Sequence, residues 1–317
     1  MKPLNLIPAD TNIQFMSKRV IFFVISAFLV LASIGVVASK GLNFGIDFKG
    51  GILIEVRTEG PADVSAMRGQ LGALGLGDIS LQEFGAPTDV LIRIQRQEGD
   101  DDAQQKAVEA VKAEFGDSVT YRRTEFVGPK VSEELLTSGI EAVGLAILAI
   151  LVYIWFRFEW QFGLGAVVAL THDVITTIGI FALLGLEFNL STVAAVLTIA
   201  GYSINDTVVV FDRVREKLRK FKSMPLPELL NLAINKTLSR TLMTSVTTLI
   251  ALLALFFLGG EVIRDFAFAM IWGVLIGTYS SICVAVPLLI YLGLDNRARG
   301  GIDGSDQTGP ESVPEHS

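Results

Sequence analysis

LSTVAAVLTIAGYSINDTVVVF, residues Leu190 to Phe211, is apolar enough to sit in a membrane, yet it carries an aspartate near one end. A helix rises 1.5 Å per residue, so this run covers roughly 33 Å, against about 30 Å of bilayer hydrocarbon. Working outward, comparable stretches run from Val20 to Ala38, Ile140 to Phe156, Phe162 to Leu184, Thr241 to Leu258 and Phe266 to Leu292. Buried helices of soluble domains are seldom so long and uniformly apolar. Over 317 residues the chain is 51% hydrophobic, with a mean hydropathy of +0.53, above the roughly 45–50% apolar content of soluble domains. The expected fold is a polytopic α-helical membrane protein with six transmembrane helices.

Lys18 and Arg19 precede the first stretch and Ala38-Ser39 follows it, which is also the layout of a cleaved signal peptide. Its apolar part outruns the usual ~7–15-residue signal core, and five more spans follow, so a retained first helix (20–38) is expected. The formal charge of −7 collects in the loop after that helix and in the tail, and no nucleic-acid footprint emerges. Cys283 is the single cysteine, which rules out a disulfide framework or a cysteine metal site within the chain. No phosphate-binding G-x-x-x-x-G-K-[ST] loop is present, nor any arrangement that argues for covalent catalysis or a cofactor. An enzyme is not expected.

Basic residues are retained on the cytoplasmic side. Lys2, Lys18 and Arg19 precede the first span, Arg157 lies between the second and third, Arg213 to Lys222 follow the fourth, and Arg297 and Arg299 follow the sixth. Both termini (1–19 and a disordered tail at 295–317) are therefore expected in the cytoplasm, with 39–134 on the other side. Within 39–134 the pattern changes to short alternating runs, as in a sheet with one wet face. Strands are expected at Ile52–Thr58, Ile79–Phe84, Val90–Gln95 and Val119–Val127, and helices from Pro61 to about Leu74 and from Asp101 to Phe115. The order β-α-β-β-α-β is the ferredoxin-like split βαβ unit. Residues 135–294 would form the remaining bundle. Within it, 212–237 reads as a cytoplasmic amphipathic helix on the membrane surface, with a partner-docking helix as the alternative.

Ionisable residues inside a span cost about 2.5–3.5 kcal/mol each on insertion scales, and they mark functional interiors. Here they are His172 and Asp173 in the third span, Asp206 in the fourth and Arg240 at the start of the fifth. Asp206 belongs to a polar interruption that includes Ser203 and Asn205. An Asp206–Arg240 ion pair is geometrically reasonable, and a moving guanidinium beside a buried carboxylate could decide whether the acid holds a proton. The plainer readings are a structural ion pair for Asp206 and a snorkelling side chain for Arg240. His172 and Asp173 are either a relay element or a helix-packing hydrogen-bond pair. Gly163, Gly165, Ala169, Gly273 and Gly277 read as close-packing contacts.

Several motifs in order carry a resemblance: Phe44-Gly-Ile-Asp-Phe-Lys-Gly-Gly51, Val127-Gly-Pro-Lys-Val131, Thr171-His-Asp173, Gly201-Tyr-Ser-Ile-Asn-Asp-Thr-Val-Val-Val-Phe-Asp-Arg213 and Ser239-Arg-Thr241. From about Lys18 to Leu292 the chain closely resembles the SecF family of bacterial protein-export subunits, related to RND transporters. The resemblance implies half of an RND-type core and a periplasmic 39–134 domain in the inner membrane. It also implies partnership with SecD, SecYEG and YajC in proton-driven movement of preproteins. Asp206 and Arg240 would be the proton-pathway residue and its partner, with His172, Asp173, Ser203 and Asn205 as further candidates. A half-size small-molecule exporter of the RND type and a non-conducting scaffold are the competing readings, and the coupling ion, proton or sodium, is left open.

Overall fold

Long helices form wherever a solid apolar run appears, and glycine closes three of them. A computed structural model describes residues 11–99, 101–260 and 263–294. The expectations for the first ten residues and for the tail from 295 onward, including Lys2, Arg297 and Arg299, lie outside the described residues. Six helices are long and apolar enough to span a membrane. They are α1 (Arg19–Lys40), α5 (Pro129–Arg157), α6 (Trp160–Leu184), α7 (Leu190–Lys220), α8 (Leu226–Leu258) and α9 (Arg264–Ser280), the last continuing through a wide π turn (Ser281–Ala285) into α10 (Val286–Tyr291). Gly41 closes α1 and Gly185, in the left-handed region, closes α6, as helix ends favour.

Burial is uneven across the bundle. The apolar windows of α6, α7 and α9 are half or more buried, whereas that of α5 contains no buried residue and that of α1 very few. The inner helices pack by small residues. Gly273 of α9 stands against Ile199 of α7, Gly277 lies beside Ser203, and Gly165 of α6 meets the Ala285 carbonyl and the Phe211 ring.

Between α1 and α5 lies the small domain, with β2 (Gly51–Thr58), α3 (Val64–Gly72), β3 (Ile79–Phe84), β4 (Ala86–Ile94), α4 (Asp101–Phe115) and β5 (Val119–Val127). The sheet is antiparallel in the order β3-β4-β2-β5, the ferredoxin-like arrangement. Ile52, Ile54 and Val56 alternate onto one face with Val90, Ile92 and Ile94, under Met67 and Leu71 of α3 and Val108, Val111 and Phe115 of α4. The opposite face is less wet than alternation suggested. Leu53 and Leu91 are buried there with Ile46 of a short helix α2 (Ile46–Lys49).

Two features went beyond the sequence reading. A two-residue strand β1 (Asn43–Phe44) pairs in parallel with β6 (Glu187–Phe188) in the α6–α7 connection. The second feature is a correction, because 212–237 is not a separate helix on the membrane surface. Helix α7 runs on to Lys220 and α8 starts at Leu226, since 212–220 holds neither glycine nor proline and Pro227 sits in the first turn of α8, where proline is tolerated. The apolar face of that region, Leu226, Leu229, Leu230, Ala233 and Ile234, is buried in the bundle's main core with Met16 and Val214. The N-terminal segment straps across it. Asn231 Oδ1 accepts from the Met16 amide at 3.0 Å, and Asn235 Oδ1 from the Ile13 amide at 2.9 Å.

Candidate functional site

The buried faces of α6, α7 and α9 meet along a polar seam. Asp173, on the side of α6 turned into the bundle, is 0% exposed. Its Oδ2 accepts from Ser203 Oγ of α7 at 2.6 Å and from Ser280 Oγ of α9 at 2.7 Å. Its Oδ1 lies 2.9 Å from His172 Nδ1. One carboxylate thus ties three helices together, and charge-assisted contacts of this length are the strong class of hydrogen bond.

One turn further along α7 a second link forms, where Thr207 Oγ1 lies 2.8 Å from Ser281 Oγ in the π turn. That turn has a local cause. Pro287 lacks an amide hydrogen and its ring crowds the carbonyl four residues back, so the helix widens over Ser281–Ala285 before re-forming. A second hydroxyl pair, Ser245 with Thr278 at 2.7 Å, joins α8 to α9.

Asp206 shares the inward face of α7 with Ser203 and Thr207, at 3% exposure. Among the described residues its Oδ2 is buried and has no hydrogen-bond partner, and neither has Oγ1 of Thr241 on α8. The expected ion pair is looser than supposed, with no Arg240 nitrogen within 4.0 Å of the carboxylate among the described contacts. Arg240 is exposed because at about 100° per residue it is Thr241 and Ser245 that α8 turns inward. Asn205, next to Asp206 in sequence, is exposed on the other side of α7 and does not join the seam.

The structure therefore brings together His172, Asp173 and Ser203, keeps Asp206 on the same face, and separates Asn205 and Arg240 from them. Sequence reasoning missed Ser280, Ser281, Thr207 and Thr241. The Ser280-Ser281 pair inside an apolar run was the signal available, since paired hydroxyls in a membrane helix commonly bond across to neighbours.

A second junction joins the small domain to the bundle. Arg93 of β4 pairs with Glu187 of β6, both largely buried, and Asp47 Oδ2 of α2 accepts from the Leu190 amide at 2.9 Å. That amide is one of the unpaired donors of the first turn of α7, where a carboxylate is also favoured by the helix dipole. Asn189 completes the cap with a capping box to Thr192. Gly50 and Gly51, at φ +70° and +122°, make the corner between α2 and β2. A Cβ at Gly51 would stand 2.7 Å from the Ile94 carbonyl.

Comparison with known proteins bears on both places. Residues 107–295 match the model for the C-terminal region of protein export membrane proteins SecD and SecF, and residues 35–62 match the SecD/SecF GG motif. The chain is 49% identical over 318 residues to the protein translocase subunit SecF of Cereibacter sphaeroides, with 97% of each covered. This chain belongs to the SecF family. It is 46% identical to the SecF subunit of Rickettsia rickettsii, over 90% of this chain and 94% of that one. A crystal structure of SecDF from Thermus, described as a translocon-associated membrane protein, superposes with a TM-score of 0.82 at 38% identity, covering 90% of this chain and 39% of that one. A second, super-membrane-facing form of SecDF gives 0.67 at the same identity, covering 92% and 40%. The chain thus spans about two-fifths of the length of those SecDF chains. This SecF-family chain superposes more closely on the first of these two structures than on the second. The matched glycine motif coincides with the Gly50-Gly51 corner.

Proposed function

We propose that this SecF-family chain is the smaller membrane half of a proton-driven protein-export machine in the bacterial inner membrane. It pairs with a SecD subunit, works beside SecYEG with YajC, and helps draw preproteins outward without itself catalysing a covalent reaction. Both termini lie in the cytoplasm and the small domain in the periplasm, on the side where preprotein emerges. The observation that carries this reading is Asp206, a carboxylate buried at 3% exposure between membrane helices with one oxygen unpartnered among the described residues. A buried acid is costly and persists where ions are passed. Arg240 supplies a fixed positive charge whose approach or withdrawal changes how readily that acid keeps its proton. Helix movement then follows from protonation, because the charged and neutral forms favour different packing. The relatives' export names and the translocon-associated SecDF structure agree with it.

The test is preprotein export into inverted membrane vesicles whose only SecF is this chain, with and without a proton-motive force. Asp206→Asn keeps the shape and removes the titratable group. The reading expects the stimulation by the gradient to fall at least tenfold while the ATP-driven step stays. Full stimulation in Asp206→Asn would leave the chain as a non-conducting scaffold and overturn the proposal.

A further inference from the structure

His172 is 4% exposed, and its two ring nitrogens are treated differently. Nδ1 faces Asp173 Oδ1 at 2.9 Å, whereas Nε2 is buried with no hydrogen-bond partner among the described residues. In the neutral ring the proton belongs on Nδ1, where the carboxylate oxygen accepts it, which leaves Nε2 as an open acceptor. Asp173 cannot easily relieve this by taking the proton itself. Its Oδ2 already accepts from both the Ser203 and the Ser280 hydroxyls.

The pair consequently carries one net negative charge when the ring is neutral. Proton uptake at Nε2 forms an N–H bond at the expense of an O–H bond of hydronium, changes no oxidation state, and leaves an imidazolium beside a carboxylate with no net charge. In a low-dielectric interior a charge-balanced pair is much cheaper to keep than a lone anion.

We infer that His172 and Asp173 form a second proton-binding site in the bundle, at which water delivers and removes a proton at Nε2 of His172. The groups around it are few. Helix α7, packed on α6, carries Tyr202 and Asp206 within the span and its remaining ionisable residues from Asp212 to Lys220 at its far end. Helix α9 and the π turn contribute Tyr279, whose ring centroid is 6.1 Å from that of His172, and Cys283. Helix α1 has ionisable side chains only at its ends, Arg19 and Lys40, those of α5 are exposed, and α10 has only Tyr291 at its far end. Tyr279 is fixed by its hydroxyl, which donates to the Phe22 carbonyl and meets Ser26 Oγ, each at 3.0 Å. Ser203, three residues before Asp206 on the same helix face, places the two acids on one seam. The inference deepens the proposed function and relies on it only for what the proton is used for.

The test reads the ring directly. The chain has two histidines, His172 and His316, so the full-length chain bearing His316→Ala gives one imidazole signal when labelled with nitrogen-15. It is purified in lipid nanodiscs with any subunit that accompanies it. The expected result is a change from neutral to doubly protonated ring between about pH 9 and pH 5. Asp173→Asn should displace the midpoint, because it removes the balancing charge. Ser280→Ala, a milder change that also serves if Asp173→Asn fails to fold, should move it up, since the carboxylate then turns more fully to the ring. A ring that keeps one protonation state throughout, or a midpoint indifferent to both substitutions as a packing role would have it, overturns the inference. A silent His172 beside an export-defective Asp206→Asn would remove this site and leave the proposed function standing. A titrating His172 beside an unimpaired Asp206→Asn would do the reverse.

Discussion

Asp173 and Asp206 are both buried acids on facing helices, but Asp173 engages both oxygens while Asp206 leaves Oδ2 open. The first ties α6, α7 and α9 together beside His172, and on the function proposed above the second is the acid that changes its state. Ser203→Ala should therefore cost about 1–2 kcal/mol of stability by stripping one donor from a buried carboxylate, read as a lower unfolding temperature in detergent. A third acid, Asp89 in the small domain, is held below its ordinary pKa chiefly by Arg57, which donates to both its oxygens at 2.5 and 2.6 Å. Burial opposes this, and Arg122 assists. A depressed carboxyl contributes stability above its unfolded pKa, about 3.9, and that contribution is lost as pH falls through the lower folded value. The protection of the β2 and β4 amides, measured against the intrinsic exchange rate at each pH, should thus be steady from neutral pH to about pH 5 and fall below about pH 4, and Asp89→Asn should be less protected throughout and less sensitive to acid. The acids and His172 were legible in the sequence because an ionisable residue stands out in an apolar run. The hydroxyls were not, since a serine or threonine can satisfy itself on the carbonyl four residues back, as Thr244 and Thr247 do. Asn205 misled for the opposite reason, because adjacency in sequence is about 100° of rotation on a helix.

Among the elements, α7 and α9 are the pair that carries the seam, and Gly273 sets how closely they approach. Gly273→Leu would drive a side chain into Ile199 and cost about 1–3 kcal/mol through overpacking, with less folded protein recovered from the membrane as the readout. The ferredoxin-like strands and helices were readable to within a few residues, because alternation and helical spacing are local signals. The lengths of α7 and α8 were not. A basic stretch followed by proline and an apolar face looks the same whether the face lies on lipid or on the protein's own core. What covers it, Met16 and the strap held by Asn231 and Asn235, comes from more than 200 residues away. Asn231→Ala should release that strap, seen as faster hydrogen exchange at the Met16 amide.

For the whole molecule, the question is how an event between membrane helices reaches the small domain. The route in this structure is short, because α7 carries Asp206 and starts at Leu190, whose amide is capped by Asp47, while Arg93 grips Glu187 three residues earlier. Glu187→Gln should loosen the domain against the bundle, broadening spin-label distances between α4 and α6 without unfolding either. None of this junction was legible beforehand, since it joins residues about 94 and 143 positions apart through a two-residue strand pairing too short to leave a pattern. The decisive measurement is proton flux across vesicles that contain this chain together with the proposed SecD subunit, with the gradient imposed and preprotein engaged. Asp206→Asn should bring that flux down to the level of vesicles lacking the pair, whereas flux equal to the unaltered chain's would contradict the role assigned to the buried acid.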